Sequence, residues 1–478
     1  MATRAELDEL RRLDRRAYAA AVRNGLEPCE TIFQLASADR MYDIVARGLP
    51  GRYAHWRFGR TFDQHRAQHD RGLSRVYELV LNTRPAQAYL LDGNTTVMQL
   101  LVIAHVYAHV DFFCRSRHFE VTDPAFLRRV RAAAGRIEQY ARDHGRDRVE
   151  DLLDAGTALS PHRATHARPA TADAEPVEPR PDAYADLFPD EEQERRRRWK
   201  EEREARRERV PREPEEDLLG FLIREAPRLE DWERDVLGIC REEAAYFAPQ
   251  LRTKIINEGW ATYWHVAILQ DLQLPADEFV EFQRATAMVV QPHPGVVNPY
   301  NLGYALWRKV EQVYTEPSDD DRERWPGAGE VPARERMMEI SATYDDAAFI
   351  AEFLTEDVCE ECKLFAWRRG ASGELRVTST EAEEVRKRLV AERTAFGIPR
   401  LTITDADAFR SGGLWLEHRH EGVGLDQEYA LGTLPYLARL WGRRVHVHSA
   451  RGSDAQPVWY LAEPDGQATM TTSPPAAA

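Results

Sequence analysis

The stretch NTTVMQLLVIAHVYAHVDFF, from Asn94 to Phe113, constrains the fold more than any other part of the chain. Its residues follow helical spacing, with Met98, Leu101, Val102, His105, His109 and Phe112 on one stripe and Asn94 placed to cap the start. A helix this apolar has almost no face to give to water, so it must run through a core. The stripe points His105 and His109 into that core, one turn apart. A buried imidazole needs a partner, and two of them four residues apart have the geometry of helical zinc and iron ligands. For an isolated HxxxH, the alternative is a pair of core histidines satisfied by carbonyls or carboxylates.

A second helix, expected within roughly Gln250 to Leu272 and containing INEGWATYWHVAIL, bears on that choice. Leu251, Ile255, Glu258, Thr262, His265 and Leu269 share one stripe, so a carboxylate and an imidazole again stand where core residues belong. An unpaired buried carboxylate is costly, whereas one that binds a cation beside two histidines is compensated. Glu258 is therefore the expected third metal ligand, with a salt bridge to a neighbouring Arg as the structural alternative. His265 lies two turns beyond it, about 10 Å along the axis, too far to hold the same ion. It is read as an acid/base, substrate-contacting or ligand-orienting group.

These residues, taken with YAHWRFGR at Tyr53–Arg60, YELVLNTRPAQAYL at Tyr77–Leu90 and NPYNLGYALW at Asn298–Trp307, resemble the SpoVR family, the stage V sporulation protein R group. The resemblance covers most of 1–160 and 215–365, and LWLEHRHEGVGLDQEYALGTLPYLARLWGRRVHVHS looks like the family's C-terminal part. It implies a cytosolic bacterial protein, linked in spore formers to the spore cortex and present also where no spores form. It also implies genetic neighbourhood with a serine protein kinase and a von Willebrand A-type protein, hence a role in stress response.

Composition bounds the class independently. With 43% hydrophobic residues and no apolar run near the roughly 18 residues of a membrane span, the 478-residue chain reads as soluble, with two or three domains. The N-terminus MATRAELDELRRLDRRAYAAAV is a charged amphipathic helix without signal-peptide features, and five cysteines fit a reducing, cytoplasmic setting. Cys359 and Cys362 form an isolated CEEC, taken as incidental. A net charge of −15 argues against general nucleic-acid binding.

The expected fold is mainly α: an interrupted helical bundle with zincin-like metal-site helices, plus a small C-terminal α+β domain. Residues 1–159 form the first helical part, and 217–364 the second. Between them, 160–216 is a Pro/Ala-rich linker followed by an Arg/Glu-rich segment whose charges pair three or four apart. The linker thus separates His105 and His109 from Glu258 within one bundle. Alternating β-branched segments and intervening helices predict the α+β domain over 365–465, with a disordered tail at 466–478. The histidines of HRH and HVHS are expected to face solvent.

Further candidates join the expected ligand set. His55 lies among Trp56 and Phe58 and is either a substrate contact, a fourth ligand or a packing group. In QPHPGVVNPYNLGYALWRKV, Asn298 caps a helix with Pro299 at its first position, and Tyr300 and Tyr304 share one face. A phenol there can hydrogen-bond an oxyanion, and His293 can reach a substrate.

HVYAH followed by NEGWATYWH is similar to the gluzincin arrangement of HExxH plus a later glutamate, except that Val106 stands where the general-base glutamate would be. The catalytic reading assigns that task to His265, with Tyr300 or Tyr304 holding the oxyanion, on a peptide or amide bond, peptidoglycan-related if the resemblance holds. The metal is a divalent ion, zinc first, with iron or manganese also compatible. Thr262 joins the residues near the substrate. The rival reading is a regulatory or scaffold protein with a structural metal. A ferritin-like diiron protein is less well supported, since no second ExxH pair is present.

Overall fold

The computed structural model describes residues 4–70, 78–162, 194, 197, 210–293, 296–369, 375–394, 398–421, 423–452 and 455–475. It is mainly helical and divides into two compact units. One comprises Met1–Gln139 with Ala245–Gly397; the other comprises Tyr140–Ala244 with Ile398–Ala478. Each is therefore assembled from chain on both sides of the linker. Of the 160–216 segment, residues 160–162, 194, 197 and 210–216 are described: Glu194 and Arg197 pair at 3.2 Å, three residues apart, and Glu215 bridges Ile403; the rest lies outside the described residues.

The first unit is built around the histidine helix, Thr96–Arg115. Its cap is Thr95, whose hydroxyl accepts the Met98 N–H at 3.2 Å, so the start lies one residue later than Asn94. By length and composition this helix is apolar enough to cross a membrane, contrary to the sequence expectation; His105, His109 and Asp111 break the run without lowering its average below that mark. Here it is a core helix, with 89% of its most apolar stretch buried. Helix Arg4–Arg23 and the glutamate helix, Lys254–Asp271, pack against it, and helix Pro299–Thr315 crosses the glutamate helix in turn. Trp260 and Trp307 are fully buried at that crossing, with ring centroids 4.7 Å apart.

Asn298 caps Pro299–Thr315 as its sequence predicts, accepting the Tyr300 N–H at 3.0 Å. The glutamate helix begins later than expected, because Thr253 separates it from helix Asp231–Arg252. Leu251 consequently falls on the earlier helix, exposed, and leaves the stripe.

This unit also contains a sheet where the sequence suggested helices alone. Strand β1 (Thr31–Ala36) runs parallel to β3 (Ala86–Leu91), and β2 (Glu78–Leu81) pairs antiparallel to β3, in the order β1–β3–β2. The strands are short, and the central one is buried on both faces, so it lacks the alternation that marks a half-exposed strand. One face packs Ala36, Tyr89 and Leu91 against Met41, Ile44, Phe126, Leu127 and Val130. Cys29 and Cys114 form a disulfide across 85 residues, a pairing that spacing does not reveal. The CEEC thiols remain free and buried, and burial pushes Cys359 up to about 11 and Cys362 up to about 12.

The hairpin β4 (Ala366–Arg369) and β5 (Leu375–Ser379), with helix Ala382–Thr394, belongs to this first unit, not to the C-terminal domain expected from residue 365. The second unit holds a five-stranded sheet of β6 (Leu401–Ala408), β7 (Gly413–His418), β8 (Val445–Arg451), β9 (Gln456–Ala462) and β10 (Ala468–Thr471). Only β7 and β8 run parallel, as the helix Gln427–Trp441 between them requires. The tail expected to be disordered supplies β10, which pairs with β9. His446 is buried beside Phe409 and Trp415 instead of facing solvent, while His448 meets Glu417 at 2.7 Å across the strands.

Candidate metal centre

The histidine and glutamate helices meet along the stripe that the sequence marks. His105 and His109 present their Nε2 atoms to each other at 3.0 Å, and Glu258 Oε2 lies 3.8 Å from the first and 3.4 Å from the second. Among the described residues these three are the group able to hold an ion: all their ligand atoms fall within 4.8 Å. Two ligands each about 2.0–2.1 Å from one tetrahedral ion stand about 3.3 Å apart, which the observed separations bracket.

What lies behind the ligands orients them. His109 Nδ1 is 3.0 Å from Asn257 Oδ1, so that nitrogen carries the proton and Nε2 offers its lone pair to the cluster. His105 Nδ1 is 3.0 Å from His265 Nδ1, and His265 Nε2 is 3.3 Å from the Thr286 hydroxyl. Burial holds His265 well below the usual imidazole range, so it is neutral and carries one proton.

Protons can run along this chain in two directions. In one, Thr286 donates to His265, His265 to His105, and His105 Nε2 to His109 Nε2; every nitrogen is satisfied, but Glu258 Oε2, a buried atom, still lacks a hydrogen-bond donor. In the other, His105 Nδ1 donates to His265 and His265 to Thr286, and both Nε2 lone pairs then converge with the carboxylate oxygen. A cation then satisfies all three at once. Burial raises the Glu258 carboxyl, but proton-bearing imidazoles at His105 and His109 outweigh it and hold the group well below its usual range; with the lone pairs turned inward a cation would take over that role. The donor set therefore fits a metal, and its open edge is at Glu258, whose side chain is 18% exposed against 4% for His105 and 6% for His109.

The remaining candidates are less closely gathered. His265 is 2% exposed and engaged at both nitrogens on the far side of His105, which denies it the open position that a base acting on water needs. Thr262 is fully buried and donates to the Glu258 carbonyl at 2.8 Å, a bond within its own helix. Tyr300 stacks near His105, with centroids 6.1 Å apart, whereas Tyr304 lies under the Arg308 guanidinium at 5.4 Å. His55 and His293 fall outside the ligand group: His55 accepts the Arg57 N–H at 3.3 Å and packs on Trp56 and Phe58, and His293 is an exposed turn residue bridged to Val296.

Sequence reasoning missed Asn257, Thr286, Asp111 and Asp346. Asp111 is 1% exposed and ties the helices together by accepting the Trp260 indole N–H at 3.2 Å and the Glu27 backbone N–H at 2.7 Å. Asp346, fully buried, accepts the Ile255 and Ile256 N–H groups at 2.9 Å each, satisfying the first turn of the glutamate helix. For Asp111 a signal was present, two residues past His109 in the same apolar run.

A family model described as SpoVR like protein matches residues 4–398, and one described as SpoVR-like C-terminal domain matches 399–452. The chain belongs to the SpoVR family. The second match begins where the chain returns to the second compact unit, at Ile398. Uncharacterized protein YcgB of Escherichia coli (strain K12) is 29% identical over 436 residues, covering 86% of this chain and 85% of its own length. No solved structure matches the chain.

Proposed function

We propose that this SpoVR-family protein is a metal-dependent hydrolase-like protein acting on a peptide or amide bond, with one divalent ion held by His105, His109 and Glu258. The observation that carries this reading is the convergence of two orientable Nε2 lone pairs and the unsatisfied Glu258 Oε2 at the junction of two core helices. Two neutral nitrogens and one carboxylate oxygen suit zinc best, with iron and manganese also compatible. Three protein ligands leave a coordination position open, and such an ion supplies Lewis acidity and a lowered pKa for water.

The chain's own residues have distinct tasks. Asn257 and His265 fix the tautomers and ring angles of His109 and His105, as groups behind metal ligands do elsewhere. Tyr300, at the first turn of its helix and beside His105, is the phenol best placed to donate a hydrogen bond to a substrate oxygen. Val106 cannot take a proton, and His265 serves as a positioning residue, so Glu258 is the ionised group nearest the open edge.

Peptidoglycan fragments are the proposed substrate class, on the strength of the family's link to the spore cortex, and the cytoplasm is the proposed location. The second reading is a regulatory protein with a structural metal, working with a serine protein kinase and a von Willebrand A-type protein. The near-complete burial of His105 and His109 favours it. The deciding experiment is elemental analysis of purified wild type beside His105→Ala, His109→Ala and Glu258→Ala. Near-stoichiometric metal lost in all three is expected. Amide-hydrolysis assays with that ion then separate the two readings, and a folded wild type that takes up none of the three metals overturns both.

A further inference from the structure

A cavity of about 370 Å³ opens in the first unit between the β1–β3 face, the start of helix Ala38–Arg47 and the helix Phe126–His144. It has no part in the histidine cluster. Its lining includes Gln34, Arg40, Gly51, Gln87, Tyr89 and Arg131, and no carboxylate. In a chain of net charge −15, a cavity lined by two arginines and no carboxylate is a local exception, although Arg40 is paired with Asp43 beyond the lining.

The polar groups around the cavity are short of partners. Tyr89 is 7% exposed, yet its hydroxyl has no hydrogen-bond partner among the described residues. The ring is buried and the hydroxyl opens on the cavity, where it is available to a ligand or to water. Gln34 is the register partner of Tyr89, and Gln87 points to the same face two residues earlier. Neither side-chain amide, nor the Arg131 guanidinium, has a partner among the described residues. Arg40 is only partly occupied, through one guanidinium nitrogen that meets Asp43 at 3.2 Å.

The backbone makes room for this arrangement. Gly51 has φ +79°, and a Cβ there would stand 3.0 Å from Arg131 Cγ. Only glycine adopts that conformation freely while letting the arginine stem lie against the turn.

We infer that this cleft binds a small metabolite through a carboxylate or phosphate group, gripped by Arg131 and Arg40 and hydrogen-bonded by Tyr89, Gln34 and Gln87. Guanidinium forks match the planar or tetrahedral oxygens of such anions, and the amides can both donate to the anion and accept from an attached hydroxyl or amine. The volume suits a ligand of small-metabolite size, at the lower end of binding cavities.

Full-length protein would be titrated by calorimetry with inorganic phosphate and, separately, with citrate, at constant ionic strength. Saturable binding of at least one is expected, and which one binds assigns the phosphate or carboxylate class. Arg131→Gln should weaken it at least about tenfold, as the loss of one charge-assisted contact implies. Tyr89→Phe, which keeps the ring packing, should weaken it several-fold with an unchanged Tm. No saturable binding of either anion by wild type, or the same affinity in both variants, overturns the assignment.

Discussion

Gly259 and Gly303 lie back to back where the glutamate helix crosses helix Pro299–Thr315: a Cβ on Gly259 would sit 2.3 Å from the Gly303 carbonyl carbon, and one on Gly303 would sit 2.2 Å from the Ile255 carbonyl oxygen. The obstacle on both sides is backbone, which cannot swing aside. Glu258 is the immediate neighbour of this contact, so the crossing that packs Trp260 against Trp307 also sets the height of the proposed ligand.

Replacing Gly259 with Ala sets two effects against each other. Helix propensity alone favours Ala by about 1 kcal/mol, whereas forcing the helices apart costs roughly 1–3 kcal/mol and reaches more when backbone must move. Because both obstacles are backbone the cost falls at the upper end, about 3 kcal/mol, and net destabilisation of about 2 kcal/mol in urea unfolding is expected, together with weaker metal retention. A more stable Gly259→Ala protein would mean that the helices do not touch there.

His265→Ala tests the positioning role. Removing the partner of His105 Nδ1 frees the ring but leaves all three ligands, so metal affinity should fall by about 10–100-fold without being abolished. Competition with a chelator of known affinity measures this. Affinity equal to wild type would leave His265 with no part in holding the site.

Asp346 gives stability a pH dependence of unusual sign. Burial pushes its carboxyl from 3.8 up to about 7, despite the two backbone N–H groups it accepts. Between about pH 4 and 7 the folded protein keeps a proton that the unfolded chain has released, so this group's contribution is full below the lower value and is lost as pH rises through the higher one. Wild type should lose on the order of 2 kcal/mol more stability than Asp346→Asn between pH 5 and pH 8. Parallel slopes for the two proteins in denaturant titrations would contradict this.

Asp111 is the buried anchor between the two ligand-bearing helices. Truncation to Ala strands the Trp260 indole and the Glu27 N–H and removes the partner of Arg115 at 2.9 Å, at an expected cost of about 3–5 kcal/mol. Arg115→Ala, a change on the half-buried side of the same pair, should cost clearly less. Equal effects in thermal or chemical unfolding would show that the ion pair, and not the indole and backbone bonds, dominates.

The sequence by itself determined the two core helices, the inward stripe of His105, His109 and Glu258, the Asn298 cap and the family. Each of these rests on periodicity or capping within a few residues, or on long motif blocks. Val106 in place of a base was also legible. Tertiary structure alone decided which groups stand behind the ligands, because His109 meets Asn257 across 148 residues and His105 meets His265 across 160. The same holds for the Cys29–Cys114 bond, the mixed sheet whose buried central strand shows no alternation, and β10, whose partner strand gives the tail its order. His265 illustrates the division: its spacing says that it points inward, but only the packing of two helices puts His105 between it and the proposed metal.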